Sequence, residues 1–155
     1  MQRARRVAAY GNRATVPAGV ATFIQTDVIT AGTVTWAPTN FVSLVSAEAI
    51  GPGGNGSAGV INTTSGSGGG GGEYRKITSM TNLIAGNTLT VQVGAGGSGV
   101  ATFILDNTAA TVLSASAGAN AVTSTGGAGG SGGTGAADNA NGGAGGNGRG
   151  ATQCG

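Results

Sequence analysis

Histidine is absent from this chain of 155 residues, and cysteine occurs once, at Cys154. Without histidine no Ser-His-Asp triad can be assembled, and with a single cysteine the usual zinc sites lack their ligands. The lone cysteine also excludes an intrachain disulfide framework. Charged side chains make up 8% of the residues, against roughly 25% in an ordinary soluble domain. The five carboxylates, at Asp27, Glu48, Glu73, Asp106 and Asp138, stand 21 or more residues apart, so only the fold could bring two together as acid and base, and a structural or surface role is expected for each. Aromatic residues are equally scarce, with three Phe, two Tyr and one Trp. No segment approaches the roughly 20 consecutive apolar residues of a membrane-spanning helix. The basic opening MQRARRVAAYGNR carries no apolar stretch of signal-peptide length. The expectation is a protein that is not an enzyme, holds no metal or cofactor, and does not insert into a membrane.

What the chain has instead is glycine, 34 residues of it. Residues 51–72 hold 11, residues 94–99 hold 4 and residues 118–155 hold 15. A segment that is half glycine has almost no side chain to bury and the largest backbone entropy to lose. It stays ordered only where its N–H and C=O groups pair with other backbones at close approach; otherwise it is a loop. The last block carries a repeat: Gly126-Gly127-Ala128, Gly129-Gly130-Ser131 and Gly132-Gly133-Thr134 run in register, and Gly142-Gly143-Ala144 and Gly145-Gly146-Asn147 resume it. Period three matches a polyproline II-type helix, whose N–H and C=O groups point outward and can bond sideways to neighbours. A flexible low-complexity tail is the other reading.

Between the glycine blocks lie β-favouring runs at Val20–Thr26, Thr33–Trp36, Asn40–Ile50, Leu89–Val93, Val100–Leu105 and Thr111–Ser116. LTVQV, with Leu89, Val91 and Val93 on one face, is the clearest strand. Within Asn40–Ile50, Leu-Val-Ser-Ala-Glu-Ala is also compatible with a helix. No segment sustains a 3.6-residue period, so the fold class is all-β, with short antiparallel, sandwich-like strands carrying glycine-rich loops or polyglycine II helices. Residues 1–33 form a basic N-terminal arm with anchoring strands, and residues 34–155 a glycine-rich β domain with a Gly-Gly-X C-terminal segment.

Two apparent motifs dissolve in this composition. Gly94-Ala95-Gly96-Gly97-Ser98-Gly99 fits G-x-G-x-x-G, but a dinucleotide site needs a helix next, and VATFIL reads as a strand. Gly129-Gly130-Ser131-Gly132-Gly133 fits the nucleophile elbow without any histidine to serve it. Calcium-binding nonapeptides want Asp at the sixth position of their repeat, where Ser131 and Asn147 stand.

Other residues carry a resemblance. Trp36-Ala37-Pro38, the run to Glu48-Ala49-Ile50, and Gly51-Pro52-Gly53-Gly54-Asn55-Gly56 resemble the opening of the glycine-rich domain of bacteriophage tail fibres and adhesins. Gly68–Gly72 before Glu73-Tyr74, followed by LIAGNTLTVQVGAGG at 83–97, resembles that domain's centre, and GGAGGNGRG its close. The resemblance spans roughly residues 34–150. The family's closing apolar strand has no equivalent in Gly150–Gly155, and the first 33 residues have no counterpart.

The resemblance implies a virion protein, commonly oligomeric, in which a sandwich of polyglycine II helices displays host-binding loops. The expected function is therefore that of a structural component of a phage tail fibre, spike or tip engaged in host attachment. The expected location is the virion surface, after synthesis in the host cytoplasm. The expected partners are further copies of the chain in a homotrimer, other phage structural proteins, and a host surface glycan or outer-membrane protein. Candidate receptor-binding residues, on loops leaving the glycine blocks, are Asn55, Asn62, Glu73, Tyr74, Arg75, Asp138, Asn139 and Asn141. Arg3, Arg5, Arg6 and Arg13 would dock the arm on an acidic partner or stand as a solvated tail; without interleaved aromatics, nucleic acid is not expected there. The alternatives are a capsid or tail decoration without receptor binding, and an ice-binding polyglycine II protein.

Overall fold

The computed structural model describes residues 28–30, 32–36, 46–61, 63–78, 88–135 and 138–149. The chain divides into two units, Met1–Thr30 and Ala31–Gly155. The arginines of the arm, the expected strand at Val20–Thr26, residues 40–45 and Cys154 lie outside the described residues.

Among the described residues, Ala31–Gly155 contains seven strands: β1 (Gly32–Trp36), β2 (Ala47–Ile50), β3 (Tyr74–Ile77), β4 (Leu89–Val93), β5 (Thr102–Leu105), β6 (Thr111–Ala115) and β7 (Asp138–Ala140). All pairings are antiparallel. One sheet has the order β1-β4-β5-β6, the other β2-β3-β7. The fold is all-β, as the residue pattern predicts. Alternation places Leu89 of β4, Ile104 of β5, and Leu113 and Ala115 of β6 on the inner face of the first sheet, where they meet Ala49 of β2 and Ile77 of β3. These side chains are small and few, so burial alone supplies limited stability.

The rest of the order comes from backbone. Strands continue directly into glycine-rich threads: β2 into residues 51–57, residues 65–73 into β3, β6 into residues 116–121, residues 124–134 towards β7, and β7 into residues 142–149. Hydrogen bonds between these five threads recur every three residues. Gly51, Gly54 and Ser57 donate to the carbonyls of Glu73, Gly70 and Ser67; Gly70 and Glu73 donate to Ala119 and Ser116; Ser65, Gly68 and Gly71 donate to Arg149, Gly146 and Gly143; and Gly127 and Gly130 donate to Gly68 and Gly71. The 65–73 thread thus bonds to all four others. A β-strand offers two hydrogen-bonding edges, whereas a three-residue screw turns its polar groups in three directions. The central thread carries five consecutive glycines, Gly68–Gly72, and a Cβ on any of them would meet the backbone of a neighbouring thread. The triplets at 126–134 and 142–147 form ordered threads of this bundle, the expectation drawn from their period.

Gly94–Gly99 forms the turn between β4 and β5, and Gly97 (φ +71°) donates to the Gly53 carbonyl, 2.8 Å away. A strand follows it, so no helix N-terminus faces this loop. The β5–β6 turn is organised by a charged side chain. Asp106 Oδ1 accepts from the Thr108 hydroxyl (2.7 Å), the Thr108 N–H (2.8 Å) and the Ala110 N–H (2.9 Å), and Ala109 takes a φ of 64°. The Thr108 hydroxyl, then the Ala110 and Thr108 N–H groups, hold the Asp106 carboxyl below its ordinary value. Asp106→Ala is expected to lower the thermal midpoint by a few degrees, and Asp106→Asn, which keeps an acceptor, by less. A carboxylate with a depressed folded pKa contributes above its unfolded value and loses that contribution as pH falls through the folded one. The difference between parent and Asp106→Asn should therefore close in acid; thermal melts at neutral and acid pH check both expectations.

Candidate functional site

The sequence-predicted receptor residues fall into separate environments. Glu73 sits where the central thread meets β3, and its side chain is 0% exposed. One carboxylate oxygen binds Arg75, at 2.8 Å to Nε and 2.7 Å to Nη2; the other accepts from the N–H groups of Ser116 and Gly133, each at 2.9 Å. Burial pushes this carboxyl upward, but the Ser116 N–H, the Arg75 guanidinium and the Gly133 N–H together hold it below the ordinary value. Glu73, named among the candidate receptor-binding residues, is thus enclosed by the fold. The adjoining glycines let three threads close over it, and their N–H groups then require an acceptor. Arg75 is committed too, since its Nη1 reaches the Gly135 carbonyl at 3.2 Å. Gly135 takes a φ of +112°, and a Cβ there would approach Leu113 Cδ1 at 2.5 Å, so the chain can turn towards β7 only with glycine.

Tyr74 and Asp138 are brought onto one face of a sheet, while Asn139 pairs with Arg75 on the other. The β3–β7 register pairs Tyr74 with Ala140, Arg75 with Asn139 and Lys76 with Asp138, so residues about 60 apart share one sheet. Two neighbours missed in the sequence complete this surface: Glu48 of β2 and Lys76 form an ion pair of 3.1 Å. The Tyr74 hydroxyl is pushed up by burial against the sheet and by the Glu48 carboxylate, and the Lys76 ammonium is held up by its hydrogen bond to Glu48. Asn141 follows β7 and is exposed. The result is a half-buried phenol bordered by two carboxylates and an amine, suited to holding a polar ligand. Asn62 lies outside the described residues.

Asn55 belongs to the opposite end of the threads. Its N–H donates to Asn120 Oδ1 (2.7 Å), and Asn120 Nδ2 donates to the Gly97 carbonyl (3.0 Å). Beyond it the connection through Val60 and Thr64, the 122–125 turn and the end of the last thread converge. The hydroxyls of Ser57 and Ser67 donate to the Thr123 carbonyl, Gly148 N–H to Ser124 (2.9 Å), and Ser65 N–H to Arg149 (2.9 Å). Thr123 has a φ of 51°, costly for a β-branched residue, and those two hydroxyls hold it there. This end exposes Val60 (59%), Ile61 (88%) and Val122 (68%). The sequence signal for them was an apolar pair and a lone valine within stretches otherwise made of glycine and small polar residues.

Among the described residues no group of three potential metal-ligating side chains comes together, and no helix is long and apolar enough to cross a membrane. A family model described as a glycine-rich domain matches residues 29–155. No curated protein and no solved structure shows significant similarity to the chain.

Proposed function

We propose, for a chain that belongs to the glycine-rich domain family, the role of a structural phage virion protein: a tail fibre, spike or tip component, assembled as a homotrimer, that attaches the particle to its host. The observation that carries this reading is the joining of loops at one end of the thread bundle, where Val60, Ile61 and Val122 stand exposed. A lattice of backbone hydrogen bonds holds those loops with little freedom to lose on binding. Exposed apolar residues gathered at one end are what a receptor contact uses, here an outer-membrane protein or a glycan bearing apolar faces. The likeness of Gly68–Tyr74 and 83–97 to the centre of phage adhesin domains supplies the remaining support. The Tyr74, Glu48, Lys76 and Asp138 surface is a second place for a polar host group.

The test uses antibodies against the purified chain. They should label the tail end of purified particles and block adsorption to the host. Label confined to the head would assign a decoration role instead, and particles without label would overturn the reading.

A further inference from the structure

Five described glycines have no atom within 4 Å of the position a Cβ would take: Gly32, Gly99, Gly132, Gly143 and Gly146. The first three have positive φ, at 78°, 71° and 81°, which explains their identity. Gly143 and Gly146 have neither crowding nor a left-handed backbone to require them. They are three residues apart on the outward side of the 142–149 thread.

Exposed glycines elsewhere in the bundle have a local reason: a Cβ at Gly53, Gly56, Gly66, Gly68 or Gly71 would come within 3.4 Å of a neighbouring thread's backbone, and Gly132 has a positive φ. Other exposed positions of those threads carry Asn55, Ala119, Asn120, Ala128 and Ser131. In the 142–149 thread the inward position is occupied by Gly142, Gly145 and Gly148, where a Cβ would overlap the carbonyls of Gly71, Gly68 and Ser65. A second, independent observation concerns hydrogen bonding. Gly142, Gly145 and Gly148 donate inward to Gly130, Gly127 and Ser124, and the carbonyls of Gly143, Gly146 and Arg149 accept from Gly71, Gly68 and Ser65. The N–H groups of Gly143 and Gly146, and both backbone groups of Ala144 and Asn147, have no backbone partner among the described residues. The thread is thus an open edge of a hydrogen-bonded lattice, the counterpart of an unpaired edge strand.

We infer that this edge is the self-association surface of the protein, and that its occupant is the 142–149 thread of a second copy. A partner here must approach without Cβ atoms, must offer polar backbone groups at three-residue spacing, and must need no charge along the thread, which carries none before Arg149 at its end. The chain's own thread meets all three requirements. Copies arranged about a three-fold axis would place Gly143 and Gly146 at the crowded centre, for the reason that glycine recurs every third residue in collagen. This inference rests on the oligomeric part of the function proposed above and supplies its interface.

Light scattering of the full chain over a range of concentrations is the test. The parent should exceed the 14.5 kDa of one chain, and Gly143→Ala/Gly146→Ala should weaken association at least tenfold. Amide-hydrogen protection of residues 65–73 should stay unchanged, because the added methyl groups meet open space within one chain. Ala144→Arg, whose side chain stays solvated in a single copy, should give the same pair of results. A monomeric parent, or variants that associate as the parent does, would overturn the inference. So would loss of protection at 65–73 in both variants, since the edge would then be needed inside the chain. Antibody labelling of particles is a separate readout, so failure of the interface and failure of the virion reading remain distinguishable.

Discussion

Gly70→Ala is expected to destabilise the protein by about 3 kcal/mol or more, the upper end of what overpacking costs. The added methyl would overlap the Ala128 carbonyl oxygen and come within 3.0 Å of the Gly127 oxygen. Neither oxygen belongs to a side chain that could swing aside. Ala128 is held by the Ala119 N–H at 2.8 Å, while Gly70 accepts from Gly54 (2.8 Å) and donates to Ala119 (3.0 Å). Relief requires separating threads, which forfeits several backbone hydrogen bonds worth about 1 kcal/mol each. Ser131→Ala, on an exposed position of the same bundle, should change stability by no more than about 0.5 kcal/mol. Urea unfolding of both variants at one fixed protein concentration makes the comparison, because association also shifts apparent stability. Equal midpoints for Gly70→Ala and the parent would remove the packed-lattice account.

The Glu73 clamp should produce an effect of similar size. Glu73→Ala leaves the Ser116 and Gly133 N–H groups and the Arg75 guanidinium without their acceptor, and breaking a buried pair in this way costs about 3–5 kcal/mol. Glu73→Gln retains an acceptor but no charge, and should lose less. The folded pKa of Glu73 lies below its unfolded value, so its contribution is complete above about pH 4.3 and disappears as pH falls through the folded value. Urea midpoints for the parent and Glu73→Gln should therefore differ most at neutral pH and converge in acid. A gap that stays constant down to acid would mean that the carboxylate charge does not hold the threads.

How much of this was legible depended on where each element's reasons lie. Leu89–Val93 was readable in full, because its alternation already states which face is inner, and Thr33–Trp36, Val100–Leu105 and Thr111–Ser116 were right to within one or two residues at their ends. Tyr74–Ile77 was missed as a strand, since Tyr-Arg-Lys-Ile places two charges in a four-residue run. Asp138–Ala140 reads as turn chemistry and becomes a strand only because β3 offers it an edge. For the site, sequence reasoning selected Tyr74 and Asp138, which the fold brings onto one sheet. It placed Glu73 among the receptor-binding candidates although the fold encloses it, and it omitted Glu48, Lys76 and the apolar end residues. Ion pairs between strands and the convergence of loops are long-range facts, so no local window contains them.

By itself the sequence determined that its glycine blocks must find backbone partners or remain loops, and the in-register triplets supplied the period of that pairing. It also determined the β class, through branched and aromatic residues spaced for strands, and the poverty of acid–base groups. Only the tertiary structure decided which glycines are indispensable. Gly142 and Gly143 are the same residue, side by side in one repeat, yet a methyl group on the first meets the Gly71 carbonyl and on the second meets open space. The difference resides in the neighbouring thread, because a glycine is required by what approaches it, and that approach exists only once the threads have assembled.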